Sequence, residues 1–206
     1  MPHDTQHSAA RLVDRSPTIS GTELVATLVP PRQFDHATFE SYRPDPEYPS
    51  QAEARDVLEA FSAPEAPQAR GGLFGFGRKK QAEPQTAAPT KPGVYLDGGF
   101  GVGKTHLLAA TWHATAGRKY FGTFIEYAAL VGALGCNGAV GVLQGARLIC
   151  IDEFELDDPG DTMLMTRLIK DLTSTGSRIV ATSNTPPNAL GEGRFAAADF
   201  MREIQA

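Results

Sequence analysis

"DGGFGVGKTHLL", residues 97–108, decides how the rest of this chain is read. Gly98, Gly103, Lys104 and Thr105 complete the pattern G-x-x-x-x-G-K-[ST], with Gly99, Phe100, Gly101 and Val102 between them. Glycines at 98, 101 and 103 let the backbone bend through conformations that a Cβ forbids and turn N–H groups inward. Those N–H groups, with the positive end of a following helix, make an anion site. Lys104 reaches phosphate as a point charge, and the Thr105 hydroxyl suits a magnesium ion. The alternative is a glycine turn that happens to precede a lysine. The flanks oppose it: "GVYL" (93–96) reads as a short apolar strand and "THLLAATWHA" (105–114) as a helix. Strand, loop, helix is the context the pattern requires. His106 and His113 on that helix read as satisfied or exposed histidines, not metal ligands.

Holding phosphate is not hydrolysing it, and "RLICIDEFELDD" (147–158) supplies the further groups hydrolysis needs. Leu148–Ile151 form an apolar strand buried on both faces. Asp152 and Glu153 stand at its C-terminal end, where ligands bind in open α/β sheets. Asp152 is expected to hold Mg2+ through a water, and Glu153 to polarise an attacking water as general base. Asp157 and Asp158 read as a solvated turn. "RIVATSN" (178–184) is another apolar strand ending in polar residues. If it inserts between the other two, Asn184 lies near a γ-phosphate and orients water with Glu153; Thr182 and Ser183 either join it or cap the strand end.

From Lys91 onward apolar strands alternate with helical patterns, the sign of a parallel α/β sheet. The spacing predicts strands at Val94–Leu96, Thr123–Tyr127, Leu148–Ile151 and Ile179–Thr182. Helices are predicted at Lys104–Ala116, Ala128–Leu134, Asp161–Ser174 and Ala196–Gln205. Upstream, residues 1–22 read as a mobile polar tail. Residues 23–63 form a proline-rich lead-in and a first helix, Gln51–Ala63, with Ser50 as N-cap, Glu53 at capping-box spacing, and Ala54, Val57, Leu58 and Phe61 on one face. Residues 64–92 are a low-complexity insert. Its one sticky element is "GGLFGFGRKK", where Leu73, Phe74 and Phe76, beside Arg78, Lys79 and Lys80, either meet a partner or an anionic membrane surface or fold back onto the domain.

A chain of 206 residues suggests one domain plus tails. Its net charge of −5 gives no electrostatic footprint for wholesale nucleic-acid binding. Cys136 and Cys150 suggest no disulfide framework, and Cys150, in an apolar strand, reads as a buried free thiol. With no long apolar span or secretory signal evident, the expectation is a cytosolic, reduced protein.

The strand–"GGFGVGKT"–helix unit, "LICIDEF" and "IVATSNTPP" together resemble an AAA+ ATPase. Within that class "DEFELDD", "MLMTRLIKDL" and "ATSNTPPNAL" are similar to the ZapE family of bacterial cell-division ATPases, whose pattern the mitochondrial AFG-like ATPases share. The lead-in "FDHATFESYRPDPEYPSQ" and the "GLFGFGRKK" insert fit as well, so the resemblance covers most of the chain from about Leu28. It implies a P-loop NTPase three-layer sandwich that binds ATP and Mg2+, with Lys104, Thr105, Asp152, Glu153 and Asn184 in the roles argued above. It also implies a homo-oligomeric ring and, for bacterial members, association with the tubulin-like division protein FtsZ. A helicase loader acting on nucleic acid, and a nucleotide-gated binding module with little turnover, are the alternatives. Tyr42 and Gln51 either touch the base or are simply packed or exposed. Four strands are legible; the family's fifth strand and helical lid are expected to be missing after Arg194. Arg194 and Arg202 are then the only late arginines able to reach a neighbouring subunit's nucleotide, and weak binding with little turnover is expected.

Overall fold

The computed structural model describes residues 20–63, 92–155 and 159–189. The insert motif, both late arginines and the expected helix at Ala196–Gln205 lie outside them. The helices are α1 (Gly21–Ala26), α2 (Pro49–Ser62), α3 (Lys104–Ala114), α4 (Phe124–Leu143) and α5 (Pro159–Ser174). The strands are β1 (Gly93–Asp97), β2 (Lys119–Thr123), β3 (Leu148–Asp152) and β4 (Arg178–Ser183). All strands pair in parallel in the order β1-β4-β3-β2. The last strand in sequence therefore does insert between the phosphate-loop strand and β3. Val94 pairs with Val180 and Cys150 with Val180, so one residue of β4 is held between both neighbours.

Alternation along the buried strands feeds two cores, one on each face of the sheet. Ile149, Ile151, Ile179 and Ala181 pack with Tyr127, Leu130 and Leu143 of α4 and Met165, Leu168 and Leu172 of α5. Leu148, Cys150 and Val180 pack on the other side with Leu107 and Leu108 of α3 and Leu58 of α2. The result is the three-layer α/β sandwich of a P-loop NTPase. Leu58 is fully buried and Ala54 and Phe61 pack beside it, as the helical spacing predicts, whereas Val57 is exposed.

Several boundaries differ from the sequence reading, and among them α4 ends at Leu143 where the spacing predicts an end at Leu134. The expected strand Thr123–Tyr127 is a strand only up to Thr123. There Thr123 Oγ1 accepts from the Glu126 N–H at 3.3 Å, and Glu126 Oε2 accepts from the Thr123 N–H at 2.6 Å. This capping box starts α4 at Phe124, four residues before the expected helix, and its reciprocal bonds outweigh the β-propensity of the aromatic and β-branched residues there. At α2 the expected capping box at Ser50 and Glu53 is replaced by Tyr48 as N-cap with no side-chain bond; Pro49 opens the helix, its missing N–H costing nothing at that position. A capping box does occur earlier, between Ser20 and Glu23, and starts α1 just inside the stretch read as tail.

Helix α4 is also long and apolar enough to cross a membrane, with a mean hydropathy of 1.4 over its best window. The sequence reading found no such span. In the fold it is broken at Gly135 (φ 69°, ψ 162°), and Phe124, Tyr127, Leu130, Val131, Ala139 and Leu143 are buried in the domain core. The helix is therefore packed on the sheet along one face, while residues such as Ile125 on its other face are exposed.

The lead-in belongs to the same body. Leu28 C=O accepts from the Phe121 N–H at 2.9 Å, covering part of the outer edge of β2. The ring Nε2 of His113 lies 3.0 Å from Phe34 C=O, and that of His106 3.0 Å from both Thr38 C=O and Ser41 Oγ. Both histidines are thus structural, as expected. Lys119 closes the end of α3, donating to Trp112 C=O and Thr115 C=O at 2.5 and 2.7 Å with its ammonium 4.1 Å from the Trp112 ring centroid.

Candidate functional site

Four elements bring the predicted residues to one end of the sheet. The loop after β1 carries residues 98–103; Gly101 (φ 76°) and Gly103 (φ 86°) take left-handed backbone conformations, whereas Gly98 does not need one. At Gly103 there is a second reason for glycine: an added Cβ would lie 2.7 Å from Cε2 of Tyr42. The Tyr42 hydroxyl donates to Val102 C=O at 2.8 Å, so this lead-in tyrosine braces the loop from outside. Phe100 stands exposed at the loop tip. Gly103 caps α3, and Lys104 and Thr105 are its first two residues.

Lys104 Nζ donates to Gly98 C=O and Gly99 C=O, both at 2.7 Å, and to Asn184 Oδ1 at 2.9 Å. An ammonium has three donors, and all three are used. Partial burial pulls its pKa below the ordinary lysine value, and the charges of Asp152, Glu155 and Asp97 oppose that shift. Thr105 Oγ1 donates to Asp152 Oδ1 at 3.3 Å, and Thr182 Oγ1 donates to the same carboxylate oxygen. Asp152 is 6% exposed. A hydroxyl and a carboxylate side by side at a strand end form a hard-oxygen pair of the kind Mg2+ takes, so these residues fit that ion. Glu153 is exposed and has φ 51°, the one non-glycine positive φ among the described residues. Its N–H donates to Thr182 Oγ1 at 3.3 Å. Thr182 therefore serves both Asp152 and Glu153.

Asn184 comes to the site as expected, but its amide oxygen accepts from Lys104, a contact the sequence reading did not anticipate. Glu155 was missed altogether. It lies two residues past Glu153, and nothing in the spacing of "DEFELDD" separates it from the neighbouring carboxylates. Only the adjacency of β3 and β4 shows that Glu155 Oε1 accepts from Ser183 Oγ (3.0 Å) and Asn184 N–H (2.9 Å), while Oε2 accepts from Thr185 Oγ1 (2.8 Å). Ser183 is thereby a structural clasp, one of the two options open to it.

Beside the loop lies a cavity of about 740 Å³ whose walls include Tyr42, Gln51, Val57, Leu96, Gly98 and Lys104. Tyr42 and Gln51 do line it, but the hydroxyl of Tyr42 is committed to Val102, and Gln51 Oε1 accepts from the Asp45 N–H at 2.8 Å. Tyr95, from β1, donates its hydroxyl to Thr185 C=O at 2.8 Å, and burial raises its pKa.

Comparison with known proteins bears on the family and the fold. The chain is 31% identical over 198 residues to the cell division protein ZapE of Escherichia coli (strain K12), covering 87% of this chain and 52% of that protein. It is 25% identical over 146 residues to the lactation elevated protein 1 homolog B of Danio rerio, covering 60% of this chain and 29% of the relative. The chain thus spans about half the length, or less, of these curated relatives. Among solved structures it is similar to DnaI (TM-score 0.59, 20% identity, covering 86% of this chain and 90% of that one). A putative primosome component from Streptococcus pyogenes serotype M3 is also similar (TM-score 0.58, 16% identity, covering 88% and 90%). At those identities the likeness is one of fold. The model of the AFG1-like ATPase family matches residues 18–206, and on that match, together with the ZapE identity, the chain belongs to the AFG1-like ATPase family.

Proposed function

We propose that this chain carries the nucleotide site of a Mg2+-dependent ATPase. One observation supports the reading above all others: at the C-terminal end of the sheet the adjacent Lys104 and Thr105 bond to Asn184 and Asp152, which come from two other segments. In this reading residues 98–105 cradle the phosphates and Lys104 leaves the Gly98 and Gly99 carbonyls for phosphate oxygens. Thr105 and Asp152 hold Mg2+, which when bound neutralises charge on the phosphates. Glu153 takes the proton of the attacking water, and Asn184 faces the terminal phosphate. By likeness to ZapE, the protein works in cell division as a homo-oligomeric ring, with FtsZ polymer as the partner.

Nucleotide titration and turnover on the full natural protein test this. Lys104→Ala is expected to abolish binding, since it removes the cation facing the phosphates. Glu153→Gln is expected to retain binding and to lose turnover by about 10²–10⁴-fold, the usual worth of a general base. Equal loss of binding in both would contradict the assigned roles. Turnover is then measured against protein concentration, with FtsZ polymer or single-stranded DNA added; stimulation by DNA alone would favour a helicase-loader role.

A further inference from the structure

Three consecutive residues at the end of β4 and just beyond it, Ser183, Asn184 and Thr185, all donate to the carboxylate of Glu155. The same loop is held from the opposite side, where the Tyr95 hydroxyl donates to Thr185 C=O. The Tyr95 ring meets the ring of Phe154, the neighbour of Glu155, edge-on at 6.4 Å between centroids. The loop that carries Asn184 is thus clasped between β1 and the segment following β3. Among the described residues the side chain of Asn184 has one hydrogen bond, from Lys104 Nζ. The backbone N–H of Asn184 is fixed by Glu155 at 2.9 Å and its side chain points at the phosphate-loop lysine, so the carboxylate sets the direction of that amide.

We propose that Glu155 is a positioning residue for Asn184, and through it for the step that Asn184 assists at the terminal phosphate. This rests on the ATPase reading above. Among the described residues Glu155 makes no hydrogen bond to the phosphate-loop backbone or to Thr105, and only its charge is felt at Lys104, so its loss should lower the rate while shifting nucleotide affinity only modestly. A carboxylate accepting three bonds is worth more than a neutral acceptor, and its removal frees a loop, not a single side chain.

The test is a double-mutant cycle on the full natural protein with Mg-ATP. Glu155→Ala and Asn184→Ala should each lower kcat by about 10–100-fold, with nucleotide affinity within about threefold of wild type. The double variant should be no slower than the slower single one. Glu155→Gln should return to within about threefold of wild type, because the carboxamide oxygen can take the Ser183 and Asn184 donors while the Thr185 hydroxyl rotates to accept. Amide hydrogen exchange at Asn184 should quicken in Glu155→Ala and not in Glu155→Gln. If Glu155→Ala does not fold, Thr185→Val carries the test, with a loss of about threefold to tenfold in kcat, unchanged affinity and no further loss when combined with Asn184→Ala. Glu155→Ala at the wild-type rate, multiplicative losses in the cycle, or a Glu155→Gln variant as slow as Glu155→Ala would each overturn the inference and leave the ATPase reading standing. A wild-type protein that neither binds nor hydrolyses ATP would overturn that reading, and the inference with it.

Discussion

Cys150 occupies the middle of β3, fully enclosed, with its thiol 3.9 Å from Leu108 C=O. Burial pushes its pKa well above the ordinary thiol value of 9.0, against a smaller opposing pull from Lys119. In the unfolded chain the thiol ionises near its ordinary value, while in the fold it stays protonated. Above that pH the unfolded state binds fewer protons than the native one, so stability falls as pH rises. This group should contribute a slope of about 1.4 kcal/mol per pH unit above roughly pH 9. Urea unfolding at pH 8, 9 and 10 checks it: Cys150→Ala should start less stable but lose less between pH 9 and 10, and parallel slopes would refute the assignment. The burial of this thiol was legible because its neighbours in sequence are all apolar. The same logic exposed Lys104, Thr105, Asp152 and Glu153, whose chemistry repeats at fixed spacing. It could not expose Glu155, since a carboxylate among carboxylates has no signature until the strand beside it is known.

At the scale of elements, the β2–α4 junction shows how local bonds settle an ambiguous run. "TFIEY" (123–127) offers aromatic and β-branched residues suited to a strand, and the spacing predicts a strand there. What decides is the pair Thr123 and Glu126, whose two reciprocal bonds satisfy donors that a helix start leaves open. Thr123→Ala removes one of them and should cost about 1 kcal/mol by equilibrium unfolding. Thr123→Ser should recover most of it, and an Ala variant as stable as wild type would show that tertiary packing alone starts the helix. The sequence places the buried strands β3 and β4 nearly to the residue, because runs of four and three apolar residues bounded by polar ones leave little choice. It does not place the kink at Gly135, since nothing in "GALGCNGAVG" says which glycine breaks the helix.

For the whole molecule, the lead-in clamps the nucleotide site from outside the sheet. Leu28, Phe34, Thr38 and Tyr42 meet β2, the two ends of α3 and the phosphate loop in turn. Tyr42→Phe keeps the ring against Gly103 and removes only the bond to Val102 C=O. It should weaken nucleotide binding by about threefold to tenfold, the worth of one hydrogen bond, with little change in melting temperature. By linkage, nucleotide should slow amide exchange along residues 34–42 in wild type and less so in the variant. Equal protection in both would show that the loop does not depend on the lead-in.

Glu153 holds its carboxylate outward on a left-handed backbone, a conformation that costs a glutamate about 1 kcal/mol and that asparagine adopts more readily. On the general-base role proposed for Glu153, a library of variants sorted only for heat resistance should therefore drift toward asparagine at 153, gaining about two degrees of melting temperature while losing turnover. Sorted for turnover, the same library should keep the acid. Sequencing the two pools would show how far selection for chemistry has worked against selection for endurance at this one position, and equal recovery of glutamate from both would mean that the backbone there is not strained.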